Sequence, residues 1–106
     1  MFAAKWELAV FRNRLRLTDL KSGETGERAA IYPFSTSRML IANQECLEQE
    51  FKELAIELSS KRRFFIYPEV RIVSTESPLE PVERDALRRA IADAGASKVF
   101  FMDERA

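Results

Sequence analysis

The sequence predicts an α/β domain with a mixed five-stranded sheet in the order β-β-β-α-β-α-β, and three observations carry the prediction. Residues 69 to 104, EVRIVSTESPLEPVERDALRRAIADAGASKVFFMDE, read as strand, helix, strand. Residues 6 to 20 alternate in the manner of a hairpin around Arg12-Asn13. A length of 106 residues, 46% of them hydrophobic, suffices for one core and is too short for two, so residues 1–106 are taken as a single domain.

In chain order, Trp6, Leu8 and Val10 alternate with Glu7, Ala9 and Phe11, which predicts a first strand with little polarity on either face. Arg12-Asn13 supplies a two-residue turn, and Arg14 to Leu20 returns as a second strand through Leu15, Leu17 and Leu20. Lys21-Ser22-Gly23-Glu24 is a turn by composition. A weaker third strand is expected over Ala29, Ala30, Ile31 and Tyr32, stopping at Pro33, with a short extended segment from Arg38 to Ala42.

Asn43 is a good cap for a first helix, whose apolar stripe is Leu47, Phe51, Leu54, Ala55 and Leu58 and whose end is expected near Ser60. On its wet side Glu48 with Lys52, and Glu57 with Lys61, stand four apart. Val70, Ile72 and Val73 form a fourth strand bounded by Pro68 and by Ser74 to Pro78. The second helix has an apolar face of Leu79, Val82, Ala86, Leu87, Ala90, Ile91 and Ala94, leaving Arg84, Asp85, Arg88, Arg89 and Asp93 to solvent. Two starts compete, Ser77-Pro78 with Glu80 as a capping box and Pro81 with Glu83 behind it; the later is expected, because the earlier would put Pro81 at the fourth helical position and delete a backbone bond, and Gly95 closes the helix. The unbroken run Val99 to Met102 suits a strand covered on both faces. The two strands flanking this helix are expected to be parallel, with a right-handed crossover.

Seventeen basic and seventeen acidic residues cancel, so no global field draws the chain to nucleic acid or anionic lipid. The absence of histidine removes histidine-dependent triads, and with one cysteine it removes the usual zinc sites. Cys46 alone makes no internal disulfide, and without a signal peptide in view a cytoplasmic location is expected. No apolar run approaches the roughly 20 residues of a membrane span.

Three antiparallel strands followed by two crossover units is the order of ribonuclease H-like domains, and of the actin and sugar-kinase ATPases built from two of them. A sharper likeness lies in residues 82 to 104, VERDALRRAIADAGASKVFFMDE. This segment resembles the stretch of bacterial MreB rod-shape-determining proteins that typically reads VERRAI, then an Ala/Gly-rich helix end, then AGA-x-x-V-(F/Y)-LIEEP. Leu40-Ile41-Ala42-Asn43 and Pro68 to Ser74 are also similar to the family's flanking passages, so the resemblance spans roughly the last two thirds of the chain.

The resemblance implies an actin-like ATPase subdomain. It aligns Glu104 with the family glutamate that helps position the water attacking the ATP γ-phosphate, with Arg105 where the family has proline. The first phosphate loop of that family needs a glycine-bearing hairpin, and Phe11-Arg12-Asn13-Arg14 stands in its place. Neither a second phosphate loop nor a second actin-like domain has a counterpart in these 106 residues. The expectation is therefore a non-enzymatic module with no cofactor and no metal, Glu104 being an inactive match. Its expected use is protein binding, to MreB-type filaments or to itself, in cell shape or division.

The candidate contact patch is Arg62, Arg63, Phe64, Phe65 and Tyr67, an aromatic run beside a basic triplet. Two other readings start from the residues. Glu7, Glu48 and Glu76 fall in elements suited to a two-metal nuclease site. Arg12, Arg14 and Arg16, with Lys61, Arg62 and Arg63, are the residues a nucleic-acid-binding groove would use, although neutrality overall disfavours such a partner. Trp6, Phe11, Phe51, Phe65, Phe100 and Phe101 are expected in the core, and Cys46 as a quiet buried thiol.

Overall fold

Asn13 turns the chain back on itself, and the rest of the sheet is built outward from that hairpin. The computed structural model describes residues 4–58 and 68–103. Strands β1 (Lys5–Phe11) and β2 (Arg14–Asp19) pair antiparallel, with Asn13 at φ 53° in the two-residue turn. Asparagine tolerates this left-handed conformation better than most side chains. Strand β3 (Thr25–Ala29) pairs antiparallel with β2, while β4 (Glu69–Thr75) and β5 (Lys98–Phe101) add parallel strands on the far side of β1. The result is a mixed open sheet in the spatial order β3-β2-β1-β4-β5, with helix α1 (Gln44–Leu58) between β3 and β4 and α2 (Pro81–Asp93) between β4 and β5.

Both helices cover the same face. Trp6, Leu8 and Val10 of β1, Leu15 and Leu17 of β2, Val70 and Ile72 of β4 and Phe101 of β5 are all buried in one cluster with Leu47, Phe51 and Leu54 of α1 and Leu87, Ala90 and Ile91 of α2. In the strands these positions alternate with more exposed ones, so period two assigns them to one side of the sheet. At 25 cal/mol per Å² of apolar area, each fully buried leucine in such a cluster contributes about 2 kcal/mol. Gly26 lies on the same side: a Cβ there would sit 3.0 Å from Leu54 Cδ1, so the missing side chain is what lets α1 approach β3.

The third strand differs from the expectation. It runs from Thr25 to Ala29, and Ile31 and Tyr32 are exposed beyond it. Its inward positions are Gly26 and Arg28, which carry no apolar alternation, so the strand exists because β2 supplies its ladder. Arg28 bridges to α1, its Nε donating to Glu50 Oε2 at 2.9 Å and its Nη1 to Glu57 Oε1 at 2.7 Å.

Residues 38–42 form no strand: Leu40 and Ile41 are buried as plugs of a long loop that begins with Phe34, also buried. The loop closes when Phe34 O accepts the N–H groups of Ala42 and Asn43, and Asn43 then caps α1 by accepting from Cys46 N–H at 3.0 Å.

α2 begins at Pro81 and Gly95 follows it at φ 116°, as the breaker residues imply. Its inward face is rotated from the expected stripe, since Glu83 is buried and Val82 exposed. Arg84 and Arg88 do not simply face solvent, because both guanidinium groups lie over the Phe101 ring, at 4.0 and 5.4 Å. β5 is an edge strand with no helix on its second side among the described residues, so the apolar run is covered on one face only: Phe101 is buried, Phe100 half-buried and Met102 exposed. Leu20, beyond the end of β2, is also exposed. No described helix is long and apolar enough to cross a membrane.

Candidate functional site

With both helices on one side, the other side of the sheet is an open face built from the alternate strand positions. It carries Lys5, Arg14, Arg16, Arg71 and Lys98 against Glu7, Glu27 and Glu69, an excess of two positive charges. Cross-strand pairing fixes them. Glu27 accepts from Arg14 at 2.8 Å and Arg16 at 3.1 Å, Glu7 stands 3.9 Å from Arg71, and Lys98 stands 3.7 Å from Glu69. The Arg16 hydrogen bond is the leading cause holding the Glu27 carboxyl below its usual pKa, with Arg14 adding to it. Two aromatic rings floor the face: Arg16 lies over Phe11 at 4.9 Å and Arg71 over Phe100 at 5.5 Å. Both rings are half-buried, so they belong to this face and not to the core. At the end of the sheet where β1, β4 and β5 begin, a hollow of about 200 Å³ is lined by Lys5, Trp6, Leu20, Glu69, Arg71, Lys98 and Phe100.

The opposite end of the sheet, beyond the carboxyl ends of β1, β4 and β5, is where open α/β sheets commonly place ligands. Here the local donors are already engaged. The backbone N–H of Arg12 donates to Glu76 Oε1 at 3.0 Å, and that of Asn13 to Ser35 Oγ at 3.0 Å. Ser35 N–H returns a bond to Asn13 Oδ1 at 2.8 Å, and Arg12 Nη1 donates to Thr36 O. A second shallow pocket of about 200 Å³, between Ser74, Thr75, Arg84 and Asp103, has its cation paired as well, Arg84 Nη2 donating to Asp103 Oδ1 at 3.1 Å.

The structure does not bring together the carboxylates that the metal reading requires. Glu7 is on the open face, Glu48 pairs with Lys52 at 2.9 Å on α1, and Glu76 follows β4 beside Arg12. Among the described residues no group of three or more His, Cys, Asp or Glu side chains is placed to hold a metal ion. The basic groove is likewise divided, because Arg14 and Arg16 share Glu27 while Arg12 reaches Thr36 and Glu76. Cys46 is a half-buried free thiol.

The aromatic patch Arg62, Arg63, Phe64, Phe65 and Tyr67, together with Lys61 and Glu104, lies outside the described residues. What the sequence reading missed is the open face itself. Its signal was present in the polar alternate positions of β1, β2 and β4, but the same positions read equally well as solvated strand faces. Fold and surface together define a small α/β domain with a mixed open sheet, layered by helices on one side. No family model matches the chain, and no curated protein matches it.

Proposed function

We propose that this chain is a non-catalytic interaction module of the ribonuclease H-like, actin-like type, similar to the first subdomain of MreB, which binds MreB-type filaments or its own copies in cell shape or division. Three antiparallel strands followed by two helical crossovers into parallel strands support that fold assignment.

The observation that carries the non-catalytic reading is the β1–β2 turn. An ATPase of this type presents turn amides to phosphate, and here the amides of Arg12 and Asn13 donate to Glu76 and Ser35 instead. A carboxylate where phosphate would sit repels a second anion. Binding then falls to surfaces, and the open sheet face offers features suited to it: cations above aromatic rings and a rimmed hollow.

The test is co-sedimentation of the purified chain with polymerised MreB-type filaments, alongside calorimetric titration with ATP and Mg²⁺. Pelleting with filaments and a flat titration are expected. Heat of nucleotide binding would overturn the non-catalytic reading, and a chain that neither pellets nor self-associates would overturn the interaction reading.

A further inference from the structure

The outer surface of α1 is strongly acidic. Among the described residues Glu45, Glu48 and Glu53 stand with one cation, Lys52, while Glu57 at the margin is paired with Arg28; at a helical period Glu45, Gln49, Lys52 and Ile56 form the outermost stripe with Glu48 and Glu53 beside it. Ile56 is an apolar point in that acidic surface, 64% exposed. The open sheet face has the converse character. Its hollow is rimmed by Lys5, Arg71 and Lys98 with Glu69 as the one carboxylate, and Phe100 and the 45% exposed Leu20 offer apolar contact within it.

We propose that the open sheet face docks helix α1 of a second copy of this chain, the acidic stripe meeting the cationic rim and Ile56 seating near Phe100 and Leu20. The occupant is chosen by charge complementarity: Glu45, Glu48 and Glu53 against Lys52 leave an excess of two negative charges on the outer surface of α1, which meets an excess of two positive charges on the sheet. The two surfaces are different patches on opposite sides of the molecule, so the contact is heterologous. Each copy that docks through one patch still presents the other, and association continues past two copies. The inference rests on the interaction-module reading and specifies its self-binding branch.

Sedimentation velocity of the full chain over a concentration series tests it. Self-association is expected at low ionic strength and should weaken at about 1 M salt, where the screening length falls to about 3 Å. Lys5→Glu with Lys98→Glu on the sheet, or Glu45→Lys with Glu53→Lys on the helix, should each lower the association constant about tenfold or more. Circular dichroism verifies that each variant folds, and a single substitution at either site replaces a pair that does not. The decisive sample is the mixture. The sheet variant keeps a native helix and the helix variant a native sheet face, so one native contact per pair remains. The mixed charge-reversal surfaces also complement one another, so the mixture should regain association that neither variant shows alone.

A wild-type chain that is monomeric throughout overturns the proposal, as does association indifferent to both salt and the substitutions. If the monomeric chain still pellets with MreB-type filaments, self-docking fails while the interaction reading stands. If it does neither, both fail.

Discussion

Glu83 Oε2 accepts the backbone N–H of Ile41 at 3.0 Å, joining α2 to a loop 42 residues earlier in the chain. Its other oxygen accepts from Glu80 N–H at 3.1 Å, so one buried carboxylate both starts the helix and fastens the loop carrying Phe34, Leu40 and Ile41. Glu83→Ala orphans both donors, at about 1–3 kcal/mol for each one left buried. A loss of about 3 kcal/mol in urea unfolding is expected. Glu83→Gln keeps one acceptor and should lose visibly less. Equal losses for the two variants would show that packing, and not hydrogen bonding, fixes the loop.

A second carboxylate performs the same kind of joining from α1. Glu50 is buried and accepts from Arg28 Nε at 2.9 Å and from Ile31 N–H at 3.0 Å, and its hydrogen bond is the main cause raising the Arg28 pKa above its usual value. Removing the arginine strands a buried charge, so Arg28→Ala should destabilise by about 3 kcal/mol. Adding Glu50→Gln removes that charge while leaving an oxygen for Ile31. The double variant is therefore expected to be more stable than Arg28→Ala alone, which paired unfolding curves would measure.

These two glutamates mark the limit of what the sequence discloses. Pro81 and Gly95 announce the ends of α2 because their backbone constraints are intrinsic to the residues. Glu83 and Glu50 look like any charges on a wet helix face, since their partners are amides and an arginine distant in sequence. The third strand was illegible for a related reason: its buried side holds Gly26 and Arg28, and neither signals burial. Leu40 and Ile41 misled in the opposite sense, since an apolar pair fills a hole from a loop as well as from a strand. The open face was legible only as alternation, because what makes it a surface is that both helices lie on the other side.

The acid response of that face has a defined sign. Glu27 has its pKa lowered below 4.5, first by the Arg16 hydrogen bond and then with help from Arg14. A carboxyl depressed in the folded state contributes stability that is present above its unfolded pKa and is lost as pH falls through the folded one. Carboxyl-detected NMR titration should place Glu27 below 4.5 in the native chain. In Arg16→Ala the midpoint should move upward, and in the Arg14→Ala, Arg16→Ala double variant further still. Unchanged midpoints would mean that the pairs are broken in solution.

The β1–β2 turn offers the closest link between local backbone and proposed function. Asn13 occupies φ 53°, where alanine is strained relative to glycine by about 1 kcal/mol, and its side-chain oxygen accepts from Ser35 N–H. Glycine relieves the backbone but loses that acceptor, which contributes about 1 kcal/mol, while alanine loses both. Stability should therefore fall in the order wild type, Asn13→Gly, Asn13→Ala. The glycine variant also makes the turn resemble a phosphate loop more nearly, yet Glu76 and Ser35 still take the Arg12 and residue-13 amides. Calorimetric titration of Asn13→Gly with ATP and Mg²⁺ should stay flat, because the obstacle is an anion already seated at the amides and not the missing glycine. Binding gained by that substitution alone would locate the obstacle in the side chain of Asn13.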